Sequence, residues 1–266
     1  MKKLICLLLC LLPFAAMAEE ETALWDYPVP YSVLQNEDGY ITLASTERLL
    51  DSDFIPDDLV KIKARKTSGT AIQMREKASA KLSEMFDAAK TDGITLYAHS
   101  GYRSYRTQKT MYSNRLASIG YDDGAVAYPG SSDHQTGLGV DVISKAWIGK
   151  RFNEKFAATK EAQWMAEHCD EYGFVIRYPE DKTEITGIMY EPWHLRYVGD
   201  EAAAYIMDAG LTLEEFTEEY EAYISAFEGD PDSALDGEDG LPDAQEVVTG
   251  ISEDGDEEVT LFGGGN

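Results

Sequence analysis

The sequence predicts a compact α+β domain that lies between an export signal and an acidic tail. Segments with helix and strand periodicity mix without the regular strand–helix–strand rhythm of a doubly wound parallel sheet. The segments with strand character are short. About 200 residues remain between the two ends, which is the right length for one domain with a real hydrophobic core.

The first 18 residues, MKKLICLLLCLLPFAAMA, have the three parts of a cleavable export signal: a basic start, a short apolar run and a small-residue end. No later stretch approaches the roughly 20 apolar residues of a membrane-spanning helix. We therefore predict an exported, extracytoplasmic protein, periplasmic or secreted, with no transmembrane segment after cleavage. Cys6 and Cys10 leave with the signal, so the single remaining Cys169 excludes an intramolecular disulfide.

The charge balance is strongly acidic, with 23 Lys+Arg against 49 Asp+Glu and a formal net charge of -26. Nucleic acid is a poor partner for such a surface. Residues 228–266 hold 13 acids and no Lys or Arg, which predicts a disordered, solubilising tail, with a spacer or calcium-attracting segment as the alternative. The predicted segments are the signal peptide (1–18), a lead (19–39), the main domain (40–227) and the tail (228–266).

Strand and helix signals alternate through the first half of the domain. The segment YITLA (40–44) predicts a short strand, and the apolar spacing over 70–89 predicts an amphipathic helix. Alternation in ITLYAHS (94–100) predicts a strand. Ser104 is the predicted N-cap of a helix that runs toward Gly120.

The second half of the domain continues this irregular pattern. GLGVDVI (137–143) predicts a strand in which the side chain of Asp141 points away from those of its two valine neighbours. A helix over 153–172, the strand FVIRY, two extended pieces in ITGIMYEPWHLRYV and two short helices follow. Thr212 and Glu215 predict a capping box at the start of the last helix.

Two of the four histidines, with one aspartate, have the chemistry of a zinc site. His134 lies seven residues before Asp141, and His194 lies in the segment EPWHLRY. Two imidazoles and one carboxylate leave the fourth position of a tetrahedral zinc open for water, as in catalytic sites. Glu191, three residues before His194, is the candidate general base for that water. Pro192 disfavours a helix at Glu191, so this is not a helical HExxH site.

Arg103 is the candidate anion-binding residue. It stands at the start of the helix that Ser104 begins, where free backbone N–H groups and the positive end of the helix dipole favour an anion. A guanidinium at this point predicts a carboxylate-binding site.

The residue pattern by itself is also compatible with a site that holds no metal. One His and one Asp seven residues apart are a weak metal signal, and Asp141 could instead pair with Arg103 or Arg196. Trp193 is more typical of core packing than of chemistry. Three residues are predicted to have no direct chemical role. His99 and His168 are expected at the surface or beside the site, and Cys169 is expected to be buried or half-buried.

Four segments together resemble a known enzyme family. SGYRSYRTQ, SSDHQTGLGVDV, YGFVIRYP and EPWHLRYVG follow one another as in the zinc D-alanyl-D-alanine carboxypeptidases of the VanY and LAS type. The combination of SxHxxGxxxD with ExWH is specific, and the resemblance covers most of residues 40–218. It implies a compact α+β, hedgehog-like fold with the zinc cleft on a small antiparallel sheet flanked by helices.

The resemblance also implies roles for individual residues. His134, Asp141 and His194 would bind one Zn²⁺ per chain, and Glu191 would be the catalytic base. Arg103 would stabilise the substrate carbonyl or its terminal carboxylate. Three further positions match contacts to the terminal D-residue: Gln108, Ser132 and Tyr178.

The implied activity is removal of the C-terminal D-alanine from peptidoglycan stem peptides by a monomeric enzyme. Alternatives on the same scaffold are an L,D-carboxypeptidase and a peptidoglycan endopeptidase. Two alternatives belong to other classes: a non-catalytic wall-binding module, and a calcium-dependent surface protein built around the acidic tail. Gly139 departs from the family pattern, in which alanine is common at that position, and we expect the change to leave the metal site intact.

Overall fold

A computed structural model describes residues 25–229 and confirms the predicted α+β class. The α-helices are α1 Tyr31–Leu34, α2 Glu76–Thr91, α3 Tyr105–Ile119, α4 Lys160–His168, α5 Thr183–Thr186, α6 Asp200–Ala209 and α7 Leu213–Gly229. The strands are β1 Leu59–Lys61, β2 Gln73–Arg75, β3 Leu96–Ser100, β4 Gly139–Ser144, β5 Phe174–Ile176 and β6 His194–Tyr197.

The predicted signal peptide and all but the first two residues of the predicted tail lie outside the described residues. Between residues 25 and 229, no helix has the length and apolar character needed to cross a membrane. These residues divide into a large unit, 26–218, and a small one that contains Trp25 and 219–229. In the small unit, Trp25 packs edge-on against Tyr223 and Phe227, with ring centroids 5.0 and 5.1 Å away.

A four-stranded antiparallel sheet in the order β3-β4-β6-β5 lies at the centre of the large unit. The inner strands β4 and β6 are buried along their whole length. Strands β1 and β2 form a separate antiparallel pair. The most protected backbone of the unit is therefore the pair of inner strands.

The core lies between this sheet and the amphipathic helix α2. Leu82, Met85 and Ala89 recur on one face of the helix and are fully buried, as are Val140 and Val142 of β4. Burial of each large apolar side chain stabilises the fold by about 1.5–3 kcal/mol. Because side chains alternate along a strand, the two valines fix β4 with the intervening Asp141 on the other face, as the sequence predicts.

Several predicted helix and strand boundaries differ from the structure. The helix predicted over 70–89 begins only at Glu76, because residues 73–75 pair with β1 instead. The helix predicted over 153–172 is interrupted at Thr159, whose side chain accepts from the backbone of Ala162 and starts α4 anew. Flanking 3-10 turns occupy Glu154–Ala158 and Asp170–Tyr172.

Two strand predictions were also wrong. The segment YITLA is a turn at Tyr40 and Ile41 followed by irregular backbone, and the carbonyl oxygens of Tyr40 and Thr42 accept hydrogen bonds from the buried Arg196 rather than from a neighbouring strand. In ITGIMYEPWHLRYV only β6 is a strand, since α5 takes up the start of the segment. The helix caps were predicted better. Ser104 caps α3, and Thr212 with Glu215 forms the capping box of α7.

A buried ion network joins distant parts of the large unit. Arg177 Nε donates to Asp133 Oδ2 at 2.7 Å, and its two terminal nitrogens donate to Glu214 at 2.7 and 2.6 Å. Arg196 Nη1 donates to the other oxygen of Asp133. Burial raises the pKa of Asp133, but the two guanidinium groups outweigh it and hold that pKa below its usual range. Asp133 is therefore ionised and paired on both oxygens.

Replacement of Asp133 tests how much this network contributes to the free energy of unfolding. We predict that Asp133→Ala lowers the free energy of unfolding by about 3–5 kcal/mol, because two buried guanidinium groups lose their shared partner. Urea denaturation measures the change. The matched control is Asp57→Ala, which removes an exposed carboxylate and should change stability by less than about 0.5 kcal/mol. A loss below about 1 kcal/mol for Asp133→Ala would contradict the prediction.

Candidate active site

Strand register places the aspartate and the second histidine of the site side by side. Asp141 of β4 is the direct partner of His194 of β6, and a β-bulge between Ala98 and Ser100 brings Ser100 of β3 opposite Asp141. Ser100 Oγ donates to Asp141 Oδ2, and His194 Nδ1 lies 3.1 Å from Asp141 Oδ1. The carboxylate is thus held from both neighbouring strands.

His134 comes from the 3-10 turn Asp133–Thr136, directly before β4. The turn ends at Gly137, whose φ of 71° lies in the left-handed region that favours glycine. His134 Nδ1 lies 2.8 Å from the carbonyl oxygen of Gly101. Because a carbonyl oxygen only accepts, we assign the proton to Nδ1, which leaves the lone pair of Nε2 free.

The three predicted metal ligands converge. His134 Nε2 is 3.5 Å from Asp141 Oδ2, and the ligand atoms of His134, Asp141 and His194 all lie within 4.8 Å of one another. The two imidazole rings stand at 90° with centroids 4.8 Å apart. Two imidazoles and one carboxylate are donors that zinc prefers, and three ligands leave a coordination position open.

The directions of the pKa shifts of His134 and Asp141 favour a neutral imidazole next to an ionised carboxylate. Burial lowers the pKa of His134 to about 4, and the nearby charge of Arg103 acts in the same direction. Burial raises the pKa of Asp141, but its contacts with the two histidines outweigh burial and hold that pKa well below its usual range. A neutral imidazole lone pair therefore faces a carboxylate. A bound cation would satisfy both groups, so these residues fit a divalent metal.

Glu191 lies at the edge of the cluster and precedes β6, outside any helix. Its Oε2 is 3.7 Å from His194 Nδ1, and its backbone N–H donates to the carbonyl oxygen of Tyr178 at 3.1 Å. Burial raises the pKa of Glu191 well above its usual range, repulsion by Asp141 adds to this, and Arg103 partly offsets it. A carboxyl group with high proton affinity in this position suits the uptake and return of a proton.

Arg103 lies one residue before the N-cap of α3, as predicted. Its backbone N–H donates to the carbonyl oxygen of His134 at 2.9 Å, which ties it to the metal-ligand turn. Nη1 donates to Gln108 Oε1 at 2.7 Å, and Gln108 Nε2 donates in turn to the carbonyl oxygen of Ala127 at 2.7 Å. The guanidinium has five N–H donors, so most of them remain available to a ligand.

All of these residues line one cleft of about 1020 Å³. Ser132 and Tyr178 complete the predicted set and are buried in its wall. The Tyr178 ring lies 5.1 Å from the ring of His194. Burial raises the pKa of Tyr178 well above its usual range, and Asp133 adds to the effect, so the phenol keeps its proton. His194 Nε2 is buried without a hydrogen-bond partner among the described residues, so its ring is oriented from the Nδ1 side.

The alternative pairings of Asp141 with Arg196 or Arg103 do not occur. Arg196 pairs with Asp133, and Arg103 with Gln108. Trp193 is buried core, as expected.

The three residues predicted without a chemical role lie where expected. His99 Nδ1 contacts Thr67 Oγ1 at 3.2 Å on the rim of the cleft, and His168 contacts Glu171 at 2.8 Å. Cys169 is buried, and burial raises the pKa of its thiol.

Sequence reasoning missed two groups that position the site. Ser100 donates to the carboxylate of Asp141, a predicted metal ligand, only because of the β-bulge, which leaves no signal in the sequence. Asp133 anchors the turn that carries His134 by pairing with Arg177 and Arg196. The sequence did contain a signal for this pairing. The two arginines lie inside the apolar segments FVIRY and HLRYV, and a buried guanidinium needs an acidic partner. The structure also explains why glycine occurs at position 139, because a Cβ there would lie 3.0 Å from Asp133.

Comparison with known proteins identifies the family. The sequence profile of VanY, D-alanyl-D-alanine carboxypeptidase, matches residues 71–200, which include all eight predicted site residues. The putative carboxypeptidase YodJ of Bacillus subtilis (strain 168) is 43% identical over 190 residues, which are 70% of this chain and 69% of that protein. The chain belongs to the VanY family of D-alanyl-D-alanine carboxypeptidases. It is therefore a hydrolase of the carboxypeptidase type.

Solved structures of similar proteins agree with this assignment. The LdcB LD-carboxypeptidase is 44% identical, with a TM-score of 0.63, over 66% of this chain and 84% of that chain. The D,D-pentapeptidase VanY from a VanB-type resistance cassette, solved as a variant in complex with Zn(II), is 32% identical, with a TM-score of 0.55, over 66% of this chain and 98% of that chain. A VanY relative thus binds zinc, and the present chain has a His/Asp/His cluster that fits the ion.

Metal analysis tests the cluster directly. We predict that metal-free protein takes up one equivalent of Zn²⁺, and that zinc at about 1,000 times its Kd stabilises the fold by about 4 kcal/mol. His134→Ala should abolish both effects. The control, His168→Ala, removes an imidazole that binds Glu171 and should leave zinc uptake unchanged. Equimolar, tight zinc in the His134→Ala variant would refute the assignment.

Proposed function

We propose that the protein is a zinc D,D-carboxypeptidase that removes the C-terminal D-alanine from peptidoglycan stem peptides. The observation that carries the proposal is the convergence of His134, Asp141 and His194 in one cleft, with Glu191 at the edge and Arg103 in the wall. This arrangement contains a metal-ligand set, a proton-transfer group and an anion-binding group. A wall-binding module without turnover would have no use for Glu191.

Each residue has a distinct task in the proposed reaction. Zinc, when bound by the three ligands, supplies a Lewis acid and a water of lowered pKa. Glu191 takes the proton from the attacking water and passes it to the amine of the departing D-alanine. Arg103 binds the oxygen on which negative charge develops, or the terminal carboxylate, through its free N–H donors.

The terminal D-residue is proposed to contact Gln108, Ser132 and Tyr178. Gln108 is held by Arg103 and by a backbone carbonyl, so its position is fixed before substrate arrives. The neutral phenol of Tyr178 keeps a donor toward the cleft. A preformed contact set of this kind lowers the entropy cost of binding.

We further propose that the mature protein acts outside the cytoplasm as a monomer, after removal of residues 1–18. It would carry the enzyme domain over 40–227 and the acidic tail over 228–266. Support comes from the signal-like leader and from the link to peptidoglycan named for a solved relative.

L,D-carboxypeptidase activity is the second candidate. The LdcB LD-carboxypeptidase is 44% identical to this chain, whereas the D,D-pentapeptidase VanY is 32% identical. The two activities differ in the residue that precedes the scissile bond, so substrate length and stereochemistry separate them.

Removal of the proposed base tests the mechanism. We predict that Glu191→Gln lowers kcat by at least about 100-fold, because general base catalysis is lost, while zinc stays bound. Release of D-alanine and metal content measure the two effects. The matched control is Glu184→Gln, which neutralises an exposed carboxylate and should retain full turnover. Full activity of Glu191→Gln would remove Glu191 from the mechanism.

Substrate length tests the specificity. We predict that zinc-loaded mature protein removes one alanine from a stem pentapeptide ending in D-Ala-D-Ala, that a chelator blocks the reaction, and that the matching tetrapeptide stays intact. Mass spectrometry of both mixtures measures the outcome. Cleavage of the tetrapeptide instead would establish L,D specificity, and zinc-loaded protein that cleaves neither would refute carboxypeptidase activity on stem peptides.

A further inference from the structure

One wall of the cleft is built by residues that the proposed reaction does not use. It is the segment 151–155, which runs into the 3-10 turn Glu154–Ala158. Its cleft-lining residues are Arg151, Phe152, Asn153, Glu154 and Lys155.

This wall is fixed next to the metal-ligand cluster. The Phe152 ring lies 5.2 Å from the ring of Trp193 and 4.9 Å from that of His99. Trp193 is buried and directly precedes His194 in the chain. The segment is therefore anchored by aromatic packing to the strand that carries a metal ligand.

Asn153 fixes the backbone on both of its sides. Its Nδ2 donates to the carbonyl oxygen of Arg151 at 3.1 Å, and its Oδ1 accepts from the backbone N–H of Lys155 at 3.1 Å. One side chain thus fixes the backbone from which the exposed side chains of Arg151 and Lys155 extend. An ordered backbone removes part of the entropy cost of binding an anion between the two side chains.

The two cations of this wall have no carboxylate partner. Within residues 25–229, neither Arg151 nor Lys155 forms an ion pair, whereas Arg115 of the same cleft is paired with Asp123. Glu154 is the acid of the wall, which leaves two cations against one carboxylate. Lys and Arg side chains without an ion pair also occur elsewhere among residues 25–229, and what distinguishes these two is that they lie together on one wall of the cleft.

We propose that Arg151 and Lys155 bind a second carboxylate of the substrate, on the N-terminal side of the scissile bond. The inference rests on the proposed carboxypeptidase function and narrows its substrate class to acidic peptides. The departing D-alanine has one carboxylate and a methyl side chain, and Arg103 is available for that carboxylate. Any further carboxylate must therefore belong to an upstream residue. Phe152 offers apolar contact to the intervening methylene groups.

Two upstream residues of a stem peptide can supply this group: γ-linked glutamate through its α-carboxylate, and diaminopimelate at the third position through its side-chain carboxylate. The test uses four peptides ending in D-Ala-D-Ala, with glutamate or isoglutamine at the second position and diaminopimelate or lysine at the third. The peptide with isoglutamine and lysine lacks any upstream carboxylate. If L,D specificity is found first, the corresponding tetrapeptides replace them.

We predict that the wild-type enzyme has a kcat/KM roughly fivefold higher for at least one peptide with an upstream carboxylate than for the neutral peptide. The difference should lie in KM, because the wall binds the ground state and the transition state equally. The ratio of kcat/KM values should fall as salt is added, because salt screens the charges. The double variant Arg151→Gln, Lys155→Gln should bring the ratio near one. Lys150→Gln is the control, since Lys150 lies over the ring of Trp147 and does not line the cleft.

The outcomes separate this inference from the proposed function. A preference that follows the glutamate or the diaminopimelate identifies the source of the carboxylate. Equal rates on all four peptides, or a preference that survives in the double variant, would overturn the inference and leave the carboxypeptidase function intact. Zinc-loaded protein that cleaves none of the four peptides would overturn both.

Discussion

The two-sided pairing of buried Asp133 with Arg177 and Arg196 is the constraint on which the rest of the large unit depends. Arg177 extends the network to Glu214 of α7. Arg196 extends it to the carbonyl oxygens of Tyr40 and Thr42. Loss of one partner would leave an uncompensated buried charge, so the network favours the arrangement that brings these distant segments together. His134 directly follows Asp133. Because the same network that links these segments also positions the turn of the first predicted metal ligand, stability and site geometry are coupled.

The inner part of the large unit holds two carboxylate clusters that differ in how their charge is balanced. The oxygens of Asp133 are each paired with a guanidinium of the chain itself. Asp141 lies beside the imidazoles of His134 and His194, Glu191 lies beside that of His194, and neither carboxyl group forms an ion pair with a guanidinium within residues 25–229. The charge of the first cluster is balanced within the chain, so this cluster needs no ligand and stabilises the fold. The second contains a His/Asp/His set that fits an added cation, and this fit distinguishes a candidate metal site from an internal salt bridge.

The convergence of the predicted metal ligands was easier to predict than the groups that support them. One His and one Asp seven residues apart are a weak metal signal, so the set of His134, Asp141, Glu191 and His194 was predicted from the resemblance to a known family. Helix caps such as Ser104 were predictable because they depend on neighbours three residues away. The bulge before Ser100 and the partner of Asp133 depend on segments more than 40 residues apart. YITLA has strand propensity, but the buried Arg196 takes its carbonyl oxygens, so a tertiary demand overrides a local preference.

The lining of the cleft is less acidic than the protein as a whole, because it holds four cations and four carboxylates: Arg103, Arg115, Arg151 and Lys155 with Asp123, Asp141, Glu154 and Glu191. With 49 acids against 23 Lys and Arg, long-range attraction cannot steer an anionic peptide toward the protein. Attraction begins only within about 8 Å of the cleft, since salt screens exposed charges beyond that distance. Arg103 donates to the neutral Gln108 rather than to a carboxylate, so its positive charge is not cancelled inside the chain. Selection of the proposed anionic substrate would therefore depend on short charge-assisted hydrogen bonds, which require the carboxylate to be correctly placed as well as negatively charged.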